Sequence, residues 1–424
     1  MRVLWVANLV AAAGTSMARP DLATFGGWIA SMLAQLAQVP GLTLGLAVRS
    51  DCREMQATVV DGVKTYFLPA SRDELDISAD DAEAVLADFK PDLLHAEGTE
   101  MSYTRRFLRA WPGPNIVSMQ GVLAGYEPYE YGDLQVDRML LGGGLTEKVV
   151  ALAMIASKHL RFLPRVRGEA EAFGLAKNLL GRTQWDRAYA YLLKPDAPYY
   201  SVNRILRPAF YEAEWSAQRI ERRSLFIGNA GAARKGAHFV LRAVHQLRRD
   251  YPDIRLYIAG EPPEPRSPAD WKRRVGYAAY LRKLIRDLDL EDRVSFTGVL
   301  GASAMAERMT RSHVYVLSSL IENSPNTLGE AMMVGAPVVA AYAGGAPSMA
   351  TAEVEALFYR PNDPAEMALQ IRRIFESDDL AKSLSVAARA RARRTHDAAE
   401  NRDRLLAAYR GVLGLETPAA KAVA

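Results

Sequence analysis

The chain has 424 residues, 49% of them hydrophobic and 24% charged. That is an ordinary globular balance, long enough for two domains of the usual size, and it excludes a disordered or fibrous chain. A net charge of +4 is too small an excess to argue nucleic-acid binding, and one cysteine, Cys52, excludes a disulfide framework and a cysteine-ligated metal cluster.

The N-terminal run Val3–Ala7 is broken by Asn8 and leads into Gly14-Thr15-Ser16. This pattern favours a buried first strand and a loop over a signal peptide. With no apolar stretch of membrane-spanning length, the expected location is cytoplasmic, with a peripheral place on the inner face of the plasma membrane left open. Apolar runs follow at Thr43–Val48, Thr58–Leu68, Asp92–His95 and Asn115–Met119, with amphipathic segments Trp28–Ala37 and Asp80–Phe89 between them. Strands apolar on both faces and separated by helices predict a parallel α/β sheet, which binds ligands at the carboxyl ends of its strands. The alternation lapses from about Tyr129 to Tyr200, a stretch of helical composition. Within it Lys158, Arg161, Arg165, Arg167, Lys177, Arg182, Arg187 and Lys194 follow one another, and between Lys158 and Lys194 only Glu169, Glu171 and Asp186 oppose them. Such a basic island reads either as a solvated helical face or as a surface for anionic lipid across 158–194.

A second alternating series starts at strand Leu225–Gly228. It continues through helix Ala237–Leu247, strand Ile254–Ala259, helix Trp271–Leu288, strands Val294–Thr297 and Val314–Leu317, helix Thr327–Val334 and strand Pro337–Ala340. Pro364–Leu413 is helical, rich in Arg and Ala, and its last part is a candidate to return to the first domain. The expected organisation is a first α/β domain over 1–200, a second over 201–397, a final helix near 398–415 and a tail at 417–424. Residues 1–200 carry 20 basic and 23 acidic side chains, and 201–424 carry 33 and 26, so the second half is the positive one.

The most informative segment runs from Leu317 to Glu330. A strand ends, a loop carries Glu322, and a helix opens at Asn326 or Thr327 with Glu330 placed as in a capping box. A helix N-terminus is an anion site that suits a diphosphate. Glu322 and Glu330 on either side of it are spaced to hold two sets of hydroxyls around one phosphate group; the plain alternative is a cap and a solvated loop carboxylate. Gly335-Ala336-Pro337-Val338-Val339 and Gly344-Gly345 follow.

This pattern, Glu322, seven residues, Glu330-Ala331-Met332, then Gly335-x-Pro337-Val338-Val339 and the Gly-Gly loop, resembles the signature of retaining glycosyltransferases of family 4. The resemblance implies a GT-B architecture, two Rossmann-like domains whose parallel sheets face across a cleft. Phe226-Ile227-Gly228 followed by Arg234-Lys235-Gly236 looks like the family's first nucleotide-domain strand and its Lys-Gly turn. Asn229 stands where the family usually has Arg, so Arg234 is a candidate substitute and Lys235 the better phosphate partner. Ile258–Glu261 and Arg293–Gly298 resemble the strands and turns near the nucleobase. Gly26-Gly27 before Trp28 is similar to the family's loop against the donor diphosphate. His95 resembles a family His at a strand end and reads as a buried, hydrogen-bonded residue. Gln120 replaces a His that contacts the donor sugar in many members, which argues against general-base work there. Glu100 and Arg182 are the acceptor candidates, Glu100 with helix capping as its plain reading; Thr183 is the candidate cap of a helix.

The resemblance implies transfer of a sugar from a UDP- or GDP-sugar, with retention, to a glycan or lipid-linked acceptor. It implies no cofactor, no metal and no covalent nucleophile. Lys235, Arg234 and the helix start at Asn326–Thr327 would meet the leaving diphosphate, Glu330 the ribose and Glu322 the donor sugar. A phosphorylase or epimerase of the same architecture and a nucleotide-sugar-binding protein without turnover are the competing readings.

Overall fold

The computed structural model describes residues 1–10, 27–71, 76–267 and 270–415. The chain divides into two compact units. The first comprises Met1–Gly125, Arg165–Pro208 and His396–Ala424; the second comprises Tyr126–Pro164 and Ala209–Thr395. This division differs from an unbroken first domain over 1–200. Residues 126–164 group with the second unit, through contacts such as Glu147 to Lys283 (3.2 Å) and His238 to the Gly132 carbonyl (3.0 Å). Linear sequence carries no sign of such long-range contacts. The helix Ala398–Val412 groups with the first unit, and the tail at 417–424 lies outside the described residues.

The first unit is an eight-stranded sheet of β1 (Arg2–Val10), β2 (Thr43–Ser50), β3 (Gln56–Val60), β4 (Val63–Pro69), β5 (Leu93–Glu97), β6 (Asn115–Ser118), β7 (Leu179–Gly181) and β8 (Tyr199–Ser201), in the order β3-β4-β2-β1-β5-β6-β7-β8. All neighbours are parallel except β3 and β4. The run Thr58–Leu68, read from the sequence as one segment, is the heart of that antiparallel hairpin. Asp61 and Gly62 turn it with φ of 50° and 78°, the left-handed pair that a two-residue hairpin demands. Side chains along β1 sort by the period of two. Val3, Trp5 and Ala7 pack on one face with Ile29, Leu33, Phe67, Leu405 and Tyr409. Leu4 and Val6 pack on the other with Tyr66, Val85, Phe89, Phe107 and Phe173.

The second unit has six parallel strands, β9 (Glu221–Ile227), β10 (Arg255–Ile258), β11 (Val294–Phe296), β12 (Ser312–Leu317), β13 (Val338–Ala341) and β14 (Leu357–Tyr359). Their spatial order, β11-β10-β9-β12-β13-β14, is the doubly wound order of a dinucleotide-binding sheet. The helix expected over Trp271–Leu288 is two helices, Trp271–Val275 and Tyr277–Asp287, parted at Gly276. The strands β7, β8 and β14 have three residues each, too short to show a period. Both sheets place a topological switch point where the motifs fall: between β1 and β5 in the first unit, and between β9 and β12 in the second.

Candidate functional site

In the second unit the chain leaves β9 at Gly228 and β12 at Leu317, adjacent strands at the switch point. After β9, Asn229 turns back on itself, its Oδ1 accepting from the Gly231 N–H at 2.6 Å. A short helical turn, Ala233–Lys235, ends at Gly236, whose φ is +73°. A Cβ at Gly236 would lie 2.0 Å from the Ser318 carbonyl oxygen. Glycine here therefore lets the two loops touch. They are stitched together by the Ser318 hydroxyl donating to the Lys235 carbonyl (2.7 Å) and the Leu320 N–H to the Arg234 carbonyl (2.8 Å).

The Lys235 ammonium, carried on this turn, sits 2.5 Å from Glu322 Oε1, which also accepts from the Ser319 hydroxyl at 2.7 Å. Glu322 is buried, and a buried carboxylate needs such partners to stay charged. Its backbone is fixed as well. The Gly345 N–H donates to the Glu322 carbonyl (2.8 Å), and a Cβ at Gly344 would lie 1.9 Å from that oxygen. The Gly-Gly loop of the sequence thus clamps the glutamate loop from above.

Arg234 does not join Lys235. Its guanidinium is 2.8 Å from Glu130, and it lies 5.9 Å above the Tyr126 ring. The Tyr126 hydroxyl in turn accepts from the Asn323 N–H at 3.1 Å. Both partners belong to the 126–164 segment, and no local signal in the sequence points to them.

The helix Asn326–Val334 corrects the capping expectation. Its N-cap is Pro325, in extended conformation, and no side chain caps it. Asn326 and Thr327 are the first two helical residues. Proline ahead of them holds the extended turn, so Glu330 sits further along than a capping box requires, and it is buried. The Tyr315 hydroxyl on β12 bonds both Thr327 and the Gly228 backbone, and burial raises its pKa, so it stays protonated. A Cβ on Gly228 would come 2.9 Å from that hydroxyl. Tyr315 therefore ties the helix start to the end of β9. Sequence reading passed over it because a Tyr in an apolar strand looks like core. Beyond β10 and β11, Gly260 and Gly298 exchange two backbone hydrogen bonds of 2.8 and 3.1 Å. They set the turns where the resemblance places the base.

The first unit holds a second polar cluster, after β5 and β6. The Gln120 amide donates to Glu97 Oε1 (2.9 Å) and to its carbonyl (3.3 Å). Glu97 Oε2 lies 3.2 Å from His95 Nε2, and His95 Nδ1 is 2.7 Å from the Tyr409 hydroxyl, which accepts from Trp5 Nε1 at 2.9 Å. Burial opposes charge on Glu97, but His95, Arg182 and Arg204 outweigh it and hold its carboxyl below the usual range. Glu100 Oε1 accepts from the Gly121 N–H at 2.7 Å, and burial raises its pKa. Glu100 therefore serves the β6 turn. Beside it, buried Glu169 accepts from the Thr99 hydroxyl (2.9 Å) and the Ala124 N–H (3.0 Å). Burial, reinforced by the nearby Glu100 charge, pushes Glu169 up to about 7.

Arg182 donates to the Met119 carbonyl at 2.6 Å, between the ends of β6 and β7. Thr183 caps the helix Gln184–Leu193 in a capping box with Asp186. Gly27 is the first residue of helix Gly27–Leu36, pressed against Arg207, where a Cβ would come within 2.3 Å; Gly26 lies outside the described residues. Of the basic island, Lys158 pairs with Glu127 (2.5 Å), and Arg165 and Lys194 donate to backbone carbonyls, while Arg161 and Arg167 are exposed.

Residues 213–391 match the family model described as Glycosyl transferases group 1, a span that includes Lys235, Glu322 and Glu330. The chain is 30% identical over 172 residues to the putative colanic acid biosynthesis glycosyltransferase WcaL of Escherichia coli K12. That alignment covers 39% of this chain and 38% of the relative, so the chain spans about two fifths of the relative's length. Over the whole chain the fold is similar to sucrose-phosphate synthase from Thermosynechococcus elongatus, with TM-score 0.73, 16% identity, and 98% and 100% of the two chains covered. It is also similar to Anabaena HepE in complex with UDP-glucose, with TM-score 0.65, 15% identity, and 97% and 100% covered. The fold is thus of the GT-B class, with a Rossmann-like sheet in each unit.

Proposed function

We propose that the protein is a glycosyltransferase that moves a sugar from a UDP- or GDP-sugar to a glycan or lipid-linked acceptor, with retention of configuration and without a metal. We place it in the cytoplasm, in the assembly of a surface polysaccharide or glycoconjugate. The observation that carries this reading is the cluster at the second unit's switch point. Lys235 pairs with Glu322, the two loops that carry them are fastened to each other, and the helix Asn326–Val334 opens four residues after Glu322. A leaving diphosphate needs a cation and oriented N–H groups at such a point, already in place before charge develops. In this reading Lys235 passes from Glu322 toward the diphosphate as the donor binds. Glu322 then turns to hydroxyls of the donor sugar, and Glu330 holds the ribose. Gln120 and Asn229 add hydrogen bonds but no proton chemistry. Arg234, engaged by Glu130, acts on the diphosphate through the long reach of its charge. The UDP-glucose complex of HepE and the polysaccharide role in the WcaL name support the substrate class.

A panel of UDP-, GDP- and ADP-sugars tests the reading by thermal shift, followed by turnover with the stabilising donor. Stabilisation by one nucleotide sugar, and transfer or hydrolysis with an α-configured product by NMR, is the expected result. No stabilisation by any donor would sink it, and binding without turnover would favour a sensor of nucleotide sugars.

A further inference from the structure

The segment that joined the second unit from an unexpected place has a face that nothing in the unit covers. Helix Leu145–Ser157 is apolar around nearly its whole circumference. Its packed side buries Val150 and Ala151, and Glu147 there pairs with Lys283. A helix apolar all round is ordinarily enclosed. Yet on the opposite side Leu145 is 81% exposed and Leu152 59%, seven residues apart and so on one stripe. Leu141, in the last turn of the preceding helix Val136–Gly142, and Leu160, in the π-helical turn Lys158–Phe162, lie just before and just after it in the chain and are 87% and 77% exposed. Exposed Arg138, Lys148 and Arg161 flank it, and Asp137 is the exposed acid among them.

We propose that this stripe docks on a membrane surface bearing anionic phosphate headgroups. Large aliphatic side chains on one helix face, rimmed by cations, are the chemistry of a helix lying in the lipid interface: leucines enter the acyl boundary and Lys and Arg meet the phosphates. A second copy of the chain fits less well, because a self-facing stripe sets its cations against one another. Docking is lateral, since among the described residues no helix is long and apolar enough to cross a membrane. The surface is thereby assigned to 138–161 rather than to the whole basic island, much of whose charge is spent on internal partners.

Co-sedimentation of the full chain with phosphatidylcholine vesicles, with and without phosphatidylglycerol, tests this. No donor is present, so the result stands apart from the nucleotide-sugar reading. Binding to the anionic vesicles at low salt should be at least about tenfold tighter than to the neutral ones. Leu145→Ser/Leu152→Ser/Leu160→Ser should lose about tenfold or more while keeping the wild-type melting temperature. Lys148→Glu/Arg161→Glu, which leaves the leucines intact, should erase the preference for anionic lipid and decides the matter if the triple variant does not fold. Absence of binding to anionic vesicles, or variants that bind like wild type, overturns the proposal. So does lipid-free self-association in sedimentation velocity that the leucine variant abolishes, which would give the face to a second copy.

Discussion

The polar cluster after β9 and β12 and the one after β5 and β6 both lie at the carboxyl ends of strands in Rossmann-like sheets, but they are held in different ways. In the second unit, three loops grip one another largely through backbone: the Ser318 hydroxyl on the Lys235 carbonyl, the Leu320 N–H on the Arg234 carbonyl, and glycines 236 and 344 against carbonyl oxygens. In the first unit, side chains from four distant segments grip one another, from Trp5 through Tyr409, His95 and Glu97 to Gln120. A backbone-locked site presents its few charged side chains ready for a ligand and tolerates change elsewhere. A site locked by side chains spreads its polar demand through the core, where each lost partner leaves another group unsatisfied.

The sharpest way to test the backbone-locked half is to remove the charges it presents. Lys235→Ala and Glu322→Ala should each lower transfer by about 10²–10³-fold, with little change in melting temperature because the loops keep their backbone contacts. An equal loss of stability would show instead that the pair is structural.

Next in size is the lock itself. Gly344→Ala places a Cβ 1.9 Å from the Glu322 carbonyl at a φ of +53°. Strain and the forced shift should cost about 3 kcal/mol, read as a fall in denaturant midpoint. Donor turnover should fall with it, since the shift moves Glu322.

These two residues also show why one half was legible. Glu322, Glu330, the Gly-x-Pro run and the glycine pair lie within one short stretch, because a loop, a helix and a strand in succession build the site. Lys235 was readable for the same reason. Asn326 and Thr327 do begin the helix, but Pro325 takes the cap and Tyr315 takes the Thr327 hydroxyl, which spacing alone does not show. Besides Gly26 and Gly27, three residues of the first unit, Gln120, Glu100 and Arg182, were read as site residues. Each proves to be bonded to neighbours brought together by the sheet, and Glu97, Glu169 and Tyr409 went unread. A buried carboxylate and a tyrosine on a terminal helix carry no local signal. The same holds for Glu130 and Tyr126, which reach the second unit through a segment whose placement only tertiary contacts decide.

The side-chain-locked half should betray itself by pH. Glu169 is raised to about 7 by burial, above the ordinary glutamate value. The folded state therefore holds a proton that the unfolded chain has released by neutral pH. The stabilisation is full below about pH 4.5 and is lost as pH climbs toward 7, by about 3 kcal/mol in total. Glu169→Gln keeps the neutral form at every pH and can still serve Thr99 and Ala124. It should melt higher than wild type at pH 8 and match it near pH 5. A gap independent of pH would place the effect elsewhere.

The smallest expected effect is the most exact about wiring. Trp5 Nε1 can only donate, so the Tyr409 oxygen accepts from it, and burial keeps the Tyr409 proton in place. That proton goes to His95 Nδ1, which leaves the ring proton on Nε2, facing Glu97. The tautomer of His95, and with it the orientation of Glu97 beneath Gln120, is thus set by a residue on the helix Ala398–Val412. Tyr409→Phe removes one hydroxyl from a packed ring and should cost about 1–2 kcal/mol, because the Trp5 and His95 nitrogens both lose their partner. ¹⁵N NMR should show His95 as the Nε2–H form in the wild type and as a mixture in the variant. If the tautomer does not change, the Tyr409 hydroxyl is not what sets it, and the first unit's cluster is held by Glu97 alone.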